Sequence, residues 1–205
     1  MASDVDIANR ALSKLGEARI TSLTDNNKGA RAMNSRFEML RDAEVEAGAW
    51  RFAIKRVNLP ATAEVPEWGY SKIFARPSDD LRPLTINGYY VNYRTVGVYV
   101  TGPSTRAYGG YSIVDGKIQT DMSAPLEYEY VARVTNSGLF NSLFVEVFAC
   151  RLAADAAEEL TQSNQKQQAA LFQYQKALRE ARRTHALWTP PTVKGSGSFL
   201  QSRAW

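Results

Sequence analysis

Gly48-Ala49-Trp50-Arg51-Phe52-Ala53-Ile54-Lys55-Arg56-Val57-Asn58-Leu59-Pro60 is the stretch at which the period of the chain changes. Upstream of it, apolar residues recur every three or four positions, the spacing that draws one stripe along a helix. Gly48 stops that pattern, and Trp50 and Phe52 follow as bulky anchors. From Ala53 to Leu59 the chain alternates, as expected of a strand whose side chains point to opposite faces in turn. Pro60, which has no N–H to give to a ladder, ends the run. A chain that turns from helical to extended period here, and back again further on, belongs to the α+β class.

Working back from Gly48, residues 28–48 read as a helix with Ala30, Met33, Phe37, Leu40 and Ala47 on one face. Arg31, Arg36, Glu38, Arg41 and Asp42 fall largely elsewhere. The polar turn Thr24 to Lys28 separates it from a first helix over 3–16. There Ser3 and Asp6 form a capping-box-like start, Gly16 suits the left-handed position after the last turn, and Ile7, Ala8, Ala11, Leu12 and Leu15 share a face. Together these make an amphipathic helical hairpin.

Working forward, Ala53 to Thr135 is rich in Gly, Pro and aromatic residues. Ala53–Leu59, Leu84–Val100, Tyr111–Gln119 and Leu126–Val134 read as strands, with most of the tyrosines at half-exposed positions. Asn87-Gly88 and Asp115-Gly116 are hairpin signals, since both dipeptides tolerate the positive φ of a tight turn. Pro60, Pro66, Pro77 and Pro83 mark turns. Asn136 to Gly138 closes the segment. A helical stretch over about 140–186 then carries Phe140, Phe144, Val147, Phe148, Leu152 and Ala156, a polar interruption at Thr161 to Asn164, and Ala170, Leu171, Tyr174, Leu178 and Ala181.

The expected architecture is therefore a discontinuous helical bundle domain, residues 1–52 and 136–188, with an antiparallel β domain, 53–135, inserted between its halves. Residues 189–205 form an extended C-terminal arm. Pro190, Pro191, Gly195 and Gly197 among Ser and Thr disfavour packing there, yet Phe199, Leu200, Arg203 and Trp205 at its end are residue types that anchor interfaces.

Composition excludes several function classes. The 205 residues are 44% hydrophobic and 22% charged, which rules out a wholly disordered chain or a disulfide scaffold. No apolar run approaches the ~20 residues of a membrane helix, so no membrane anchor is expected. Met1 to Gly16 carries acids early and has no long apolar centre, so it is not read as a signal peptide and folding inside a cell is expected. The net charge of +4 is modest and biased towards the C-terminal end, which is not the dense patch of a dedicated DNA-binding domain.

Reactive residues are few. Cys150 and His185 are each the only one of their kind, so neither a metal ion nor a cofactor is expected. Glu127 and Glu129 alternate on a strand and so share a face roughly 7 Å apart, a spacing compatible with glycoside hydrolysis but also with a solvated strand face, the favoured reading. Asp79-Asp80 reads as turn chemistry, Glu158-Glu159 as helix surface, and Cys150 as a small buried residue. None of the nucleotide-binding, metalloprotease or serine-hydrolase signatures occurs, and the chain is not read as an enzyme.

The order of certain motifs does carry a resemblance. Asp6-Ile7-Ala8-Asn9-Arg10-Ala11-Leu12-Ser13-Lys14-Leu15-Gly16, then Arg19-Ile20-Thr21-Ser22-Leu23, then Trp50-Arg51-Phe52-Ala53-Ile54-Lys55-Arg56 open the series. Trp68-Gly69-Tyr70, Pro77 with Asp80-Leu81-Arg82, Leu139-Phe140 to Leu160-Thr161, and Tyr174-Gln175-Lys176-Ala177-Leu178 follow. In this order they resemble the tail tubular protein A family, the head-to-tail adaptors and gatekeepers of short-tailed bacteriophages. The likeness runs along about the whole chain and is loosest in the β segment. Met33 or Asn34 stands where the family usually has Cys, and Gly48-Ala49 where it usually has His-Pro.

The resemblance implies a structural virion protein at the head–tail interface, assembled in the host cytoplasm. It would form a dodecameric ring between the portal protein and the tail nozzle protein, seal the filled head, and conduct double-stranded DNA during ejection without reading its sequence. Two alternatives stand beside it. A virion-associated peptidoglycan hydrolase would use Glu127 and Glu129, and alanine at both would abolish lysis while particles still assembled. A small DNA-binding regulator built on the helical hairpin would bind free duplex tightly with a steep salt dependence.

Removal of Phe199 to Trp205 is expected to leave a folded chain that attaches more weakly to a portal-type partner, as measured by co-sedimentation. Attachment as strong as that of the full chain would reduce the arm to a frayed end.

Overall fold

The structure, a computed structural model, describes residues 2–91 and 110–187. Two helices come first. In α1 (Asp4–Leu15) the Ser3 hydroxyl accepts from the Asp6 N–H at 3.1 Å while the Asp6 carboxylate accepts from the Ser3 N–H at 2.9 Å, so two otherwise orphaned donors are satisfied reciprocally. Gly16, at φ 76°, closes the helix by giving its N–H to the carbonyls of Leu12 and Ser13. Beyond it Asn9 acts as a clamp. Its amide donates to the Ile20 carbonyl at 2.9 Å and accepts from the Ile20 N–H at 2.8 Å, holding the connection against the flank of α1. α2 (Lys28–Gly48) starts on Asn27, whose side chain accepts from the Ala30 N–H at 2.7 Å.

Among the described residues seven strands follow, in two antiparallel sheets: β1 (Ile54–Leu59), β2 (Lys72–Ala75), β3 (Asp80–Ile86), β4 (Tyr89–Tyr90), β5 (Tyr111–Val114), β6 (Lys117–Thr120) and β7 (Leu126–Ala132). One sheet has the order β1-β7-β3-β4 and the other β2-β6-β5. Two helices complete the described chain, α3 (Ser142–Thr161) and α4 (Asn164–Leu187).

Two apolar cores result. The larger joins all four helices with Trp50, Ala53, Val131 and Val134, so the helices before and after the strands share one interior. α3 is its centre, buried on nearly every side, and the alanines at 149, 153, 154, 156 and 157 let its neighbours approach closely. Rings make the seam: Phe144 lies 5.2 Å from Trp50 and 5.0 Å from Phe52, and Phe148 lies 5.0 Å from Phe37. The smaller core lies between the sheets and holds Leu59, Phe74, Ile86, Ile118, Leu126, Tyr128, Tyr130 and Ala132.

Most expected elements are present: the first three helical boundaries, both hairpin turns and the break after Thr161. Asn87-Gly88 and Asp115-Gly116 each have two successive positive φ values. The break is a short link in which Gln162 adopts φ 50°. Several details differ. Ala53 ends a 3-10 turn, Arg51–Ala53, and β1 begins one residue later. The hairpin turn divides 111–119 into β5 and β6, and β2 had no expectation at all. Pro83 lies inside β3, where the register with β7 slips between Pro83 and Thr85, an irregularity that accommodates its missing N–H. Tyr128 and Tyr130 are buried rather than half exposed, because the second sheet covers that face. On α2, Ala47 is exposed while Arg41 and Glu44 are buried. The expected strand over 84–100 falls partly, and the arm after 188 wholly, outside the described residues.

Gly48 does not end α2 by its own conformation. The left-handed residue is Ala49, at φ 45°. A β-carbon on Gly48 would instead lie 2.6 Å from Cε2 of the Trp50 indole, whose Nε1 donates to the Glu44 carbonyl at 3.0 Å. Gly48 therefore makes room for the ring. Gly→Ala in a helix ordinarily stabilises by up to about 1 kcal/mol. Here Gly48→Ala is expected to destabilise by about 1–3 kcal/mol through overpacking, read from the urea midpoint. A raised midpoint would contradict the packing argument.

Candidate functional site

The two carboxylates singled out in the sequence sit on β7, inside the larger sheet. Glu129 lies opposite Arg56 of β1 on one side and Thr85 of β3 on the other, and Glu127 lies opposite Asn58. The pleat sends Leu126, Tyr128 and Tyr130 into the inter-sheet core and Glu127 and Glu129 to the other face. There, with Arg56, Asn58, Thr85 and Gly88, they line a shallow groove. Asn87 fixes its rim, accepting from the Glu127 N–H at 2.8 Å through its side chain and donating its own N–H to the Glu127 carbonyl at 2.8 Å.

The structure thus brings the carboxylates to one face, as their spacing requires. Glu127 is exposed, however, and Glu129 accepts from Arg56 Nε at 3.3 Å. An acid–nucleophile pair needs one carboxyl kept protonated by burial. Solvent around one group and a guanidinium beside the other are instead the surroundings of a cross-strand ion pair on a wet sheet face.

Asp79 and Asp80 have a larger part than turn chemistry. The turn is present, with the Asp80 N–H donating to the Pro77 carbonyl at 3.1 Å. Its two carboxylates then diverge. The Asp80 side chain is only 1% exposed, accepts from Arg76 Nε at 2.7 Å and also receives the Tyr128 hydroxyl. Asp79 accepts from Lys55 Nζ at 2.6 Å and from the Tyr130 hydroxyl at 3.0 Å. The hydrogen bond from Lys55 holds the Asp79 carboxyl below the usual carboxylate range. Burial, reinforced by Asp79, pushes the Tyr130 phenol up to about 12. Tyr128 and Tyr130 stack at 5.4 Å, so the two acids hold a pair of rings whose faces close the smaller core. The alternation Tyr128-Glu129-Tyr130 was visible in sequence; that the tyrosines pointed to these acids was not.

A second polar cluster lies among the helices. Glu44 is 5% exposed and accepts from the Tyr174 hydroxyl at 2.9 Å, while the Arg151 guanidinium rests 5.2 Å from the centre of the Tyr174 ring. Burial raises the Glu44 carboxyl, and the Tyr174 hydrogen bond, Arg151 and Arg182 only partly oppose it. Cys150 is buried as expected. Burial pushes its thiol up, away from the thiolate that nucleophilic chemistry needs. Its neighbours Glu146 and Lys14 form an ion pair at 2.7 Å that ties α1 to α3. His185 packs edge-on against Trp50, with ring centres 6.1 Å apart.

Phe199, Leu200, Arg203 and Trp205 lie outside the described residues. Among the described residues, no group of three or more His, Cys, Asp and Glu is placed to hold a metal ion, and no helix is long and apolar enough to cross a membrane. Large apolar side chains are exposed at Trp68 and Val65, in the connection between β1 and β2, and at Phe172 on α4. No motif in the sequence reading marked Phe172 as exposed.

Glu44 gives a pH test with a defined sign. Its folded pKa lies above the ordinary value. Its contribution to stability is therefore complete at acid pH and is lost as pH rises through the folded value. Glu44→Gln keeps an acceptor for Tyr174 and removes the buried charge. The urea midpoint of this variant relative to the native chain is expected to be higher at pH 7 than at pH 4. A difference that is constant or falls with pH would contradict this.

No family model matches the chain, and no curated protein matches it.

Proposed function

We propose that this chain is a head-to-tail adaptor of a short-tailed bacteriophage, a structural virion protein that forms a ring joining the portal to the tail nozzle. The reading rests on the ordered series of motifs from Asp6 to Leu178 that resembles the tail tubular protein A family. The places those motifs take in the fold support it, because they fall at its joints. Asn9 clamps Ile20, Gly16 caps α1, Trp50 and Phe52 dock on Phe144, Asp80 anchors β3, and Tyr174 meets Glu44. A series that specifies a frame, with no reactive group in it, suits a protein whose work is assembly.

In this reading residues 1–52 and 136–188 form one helical domain, 53–135 form an inserted β domain, and 189–205 form an arm that reaches a neighbour through Phe199, Leu200, Arg203 and Trp205. A closed ring needs heterologous contacts, so that each subunit offers one surface to the next and a different one to the last. A helical layer and a β layer give such unlike surfaces. Repetition around a ring also multiplies a weak arm contact into firm attachment.

Native mass spectrometry of the purified chain, alone and with its portal protein, tests the reading. A closed ring is expected, and twelve 22.8-kDa protomers would weigh about 274 kDa. A chain that stays monomeric in both samples would overturn it.

A further inference from the structure

The chain carries a net charge of +4, from 25 Lys and Arg against 21 Asp and Glu. α4 carries Lys166, Lys176, Arg179, Arg182 and Arg183 against Glu180 alone, a net +4, so the rest of the chain is neutral. The other long surface helix differs: in α2, Lys28, Arg31, Arg36 and Arg41 are matched by Glu38, Asp42, Glu44 and Glu46.

The placement of these cations matters more than their number. At 100° per residue, the buried Ala170 and Ala181 and the half-buried Tyr174 and Ala177 define the inner side of α4. Lys176, Arg179 and Arg183 fall on the opposite side, and all three are exposed. Of the other two cations, Lys166 Nζ donates to the Leu15 carbonyl at 2.9 Å, and Arg182, also exposed, lies to one side, about 110° round the helix from the inner residues. Glu180 lies roughly 65° round the helix from the middle of the outer three. None of the three makes a salt bridge among the described residues; Arg179 Nε only reaches the Gln175 carbonyl of its own helix, at 3.3 Å.

We propose that Lys176, Arg179 and Arg183 form a contact for the phosphate backbone of double-stranded nucleic acid. Their rises along the helix are about 4.5 and 6 Å, so the row spans roughly 10 Å. Over that length a duplex presents about six phosphate charges, which three long cationic side chains can meet without exact register. A lone row of extended cations engages phosphates and carries no sequence information. The contact is weak for one protomer, sequence-independent and released by salt, the behaviour suited to a duplex that must move past it. The adaptor reading supplies the reason for DNA to be near; the contact itself is measured without it.

The test uses the full chain, two short duplexes of unrelated sequence, and fluorescence anisotropy across a salt series. Both duplexes are expected to bind alike. The slope of log affinity against log salt is expected to be about −2.7, so affinity falls about 40-fold between 50 and 200 mM salt. The triple variant Lys176→Gln, Arg179→Gln, Arg183→Gln should lose at least about tenfold in affinity at 50 mM and flatten the slope, with its helix content and melting temperature unchanged. A control variant with the same charge loss elsewhere, Arg19→Gln, Arg31→Gln, Lys117→Gln, should bind as the native chain does. Equal binding by native and triple variant, an equal loss in the control, or tighter binding to phosphatidylserine vesicles than to duplex would each overturn the proposal. Ring mass, scored separately, distinguishes the two readings. Intact rings without this binding count against the stripe alone, and binding without rings counts against the adaptor alone.

Discussion

The packing of Trp50 and Phe52 against Phe144 is the contact on which the remainder depends. Trp50 leaves the second helix and Phe144 begins the third, with the whole β segment between them in sequence. Edge-to-face ring pairs contribute ~0.5–1.5 kcal/mol each beyond the area they bury. Here edge-to-face, tilted and stacked pairs together form a continuous series from Phe37 through Phe148 and Phe144 to Trp50, Phe52 and Phe140. Two local devices keep the indole in place: the absence of a side chain at Gly48 and the Glu44 carbonyl that accepts its N–H. The pairing of Ile54 with Val131 then sets the departing and returning strands side by side. The chain leaves the helical layer and comes back to it at one place, which supports the proposed reading of the strands as an insertion.

β7 serves both layers. Its inward residues Leu126, Tyr128 and Tyr130 fill the smaller core, while Val131, near its end, belongs to the larger one. Between these lie Glu127 and Glu129 on the opposite face, next to Arg56. The polar networks at Asp79-Asp80 and at Glu44 mark two further junctions, one joining β1, β3 and β7 of the larger sheet to the connection that carries Arg76, and one between α2 and α4. Their carboxylates respond to pH in opposite senses, because Asp79 is held charged by Lys55 and Glu44 is made harder to ionise by burial. Such groups specify how the layers meet.

Much of the helical layer was legible because its signals are local. Ser3 with Asp6, Gly16, and the apolar spacing of α1 each act within a few residues. The hairpin turns were legible for the same reason, since Asn87-Gly88 and Asp115-Gly116 need no distant partner. What could not be read depends on contacts far apart in sequence. The burial of Tyr128 and Tyr130 requires the second sheet, and the purpose of Gly48 requires the indole beside it. Glu44 could be buried only because Tyr174, 130 residues away, brings a hydroxyl to it. The outward row on α4 also escaped notice. Charge counted along the chain shows only a bias towards the C-terminal end, and the inward turn of Ala170, Tyr174 and Ala181 is needed to place Lys176, Arg179 and Arg183 on one outer side.

The proposal that this chain forms a ring in the wall of a DNA conduit is open to imaging of assembled particles at a resolution that separates helices. Density for four helices and two small sheets is expected, repeated around the axis between portal and nozzle, with α4 on the side that faces the DNA. Particles whose head–tail junction has no density for this fold would contradict it.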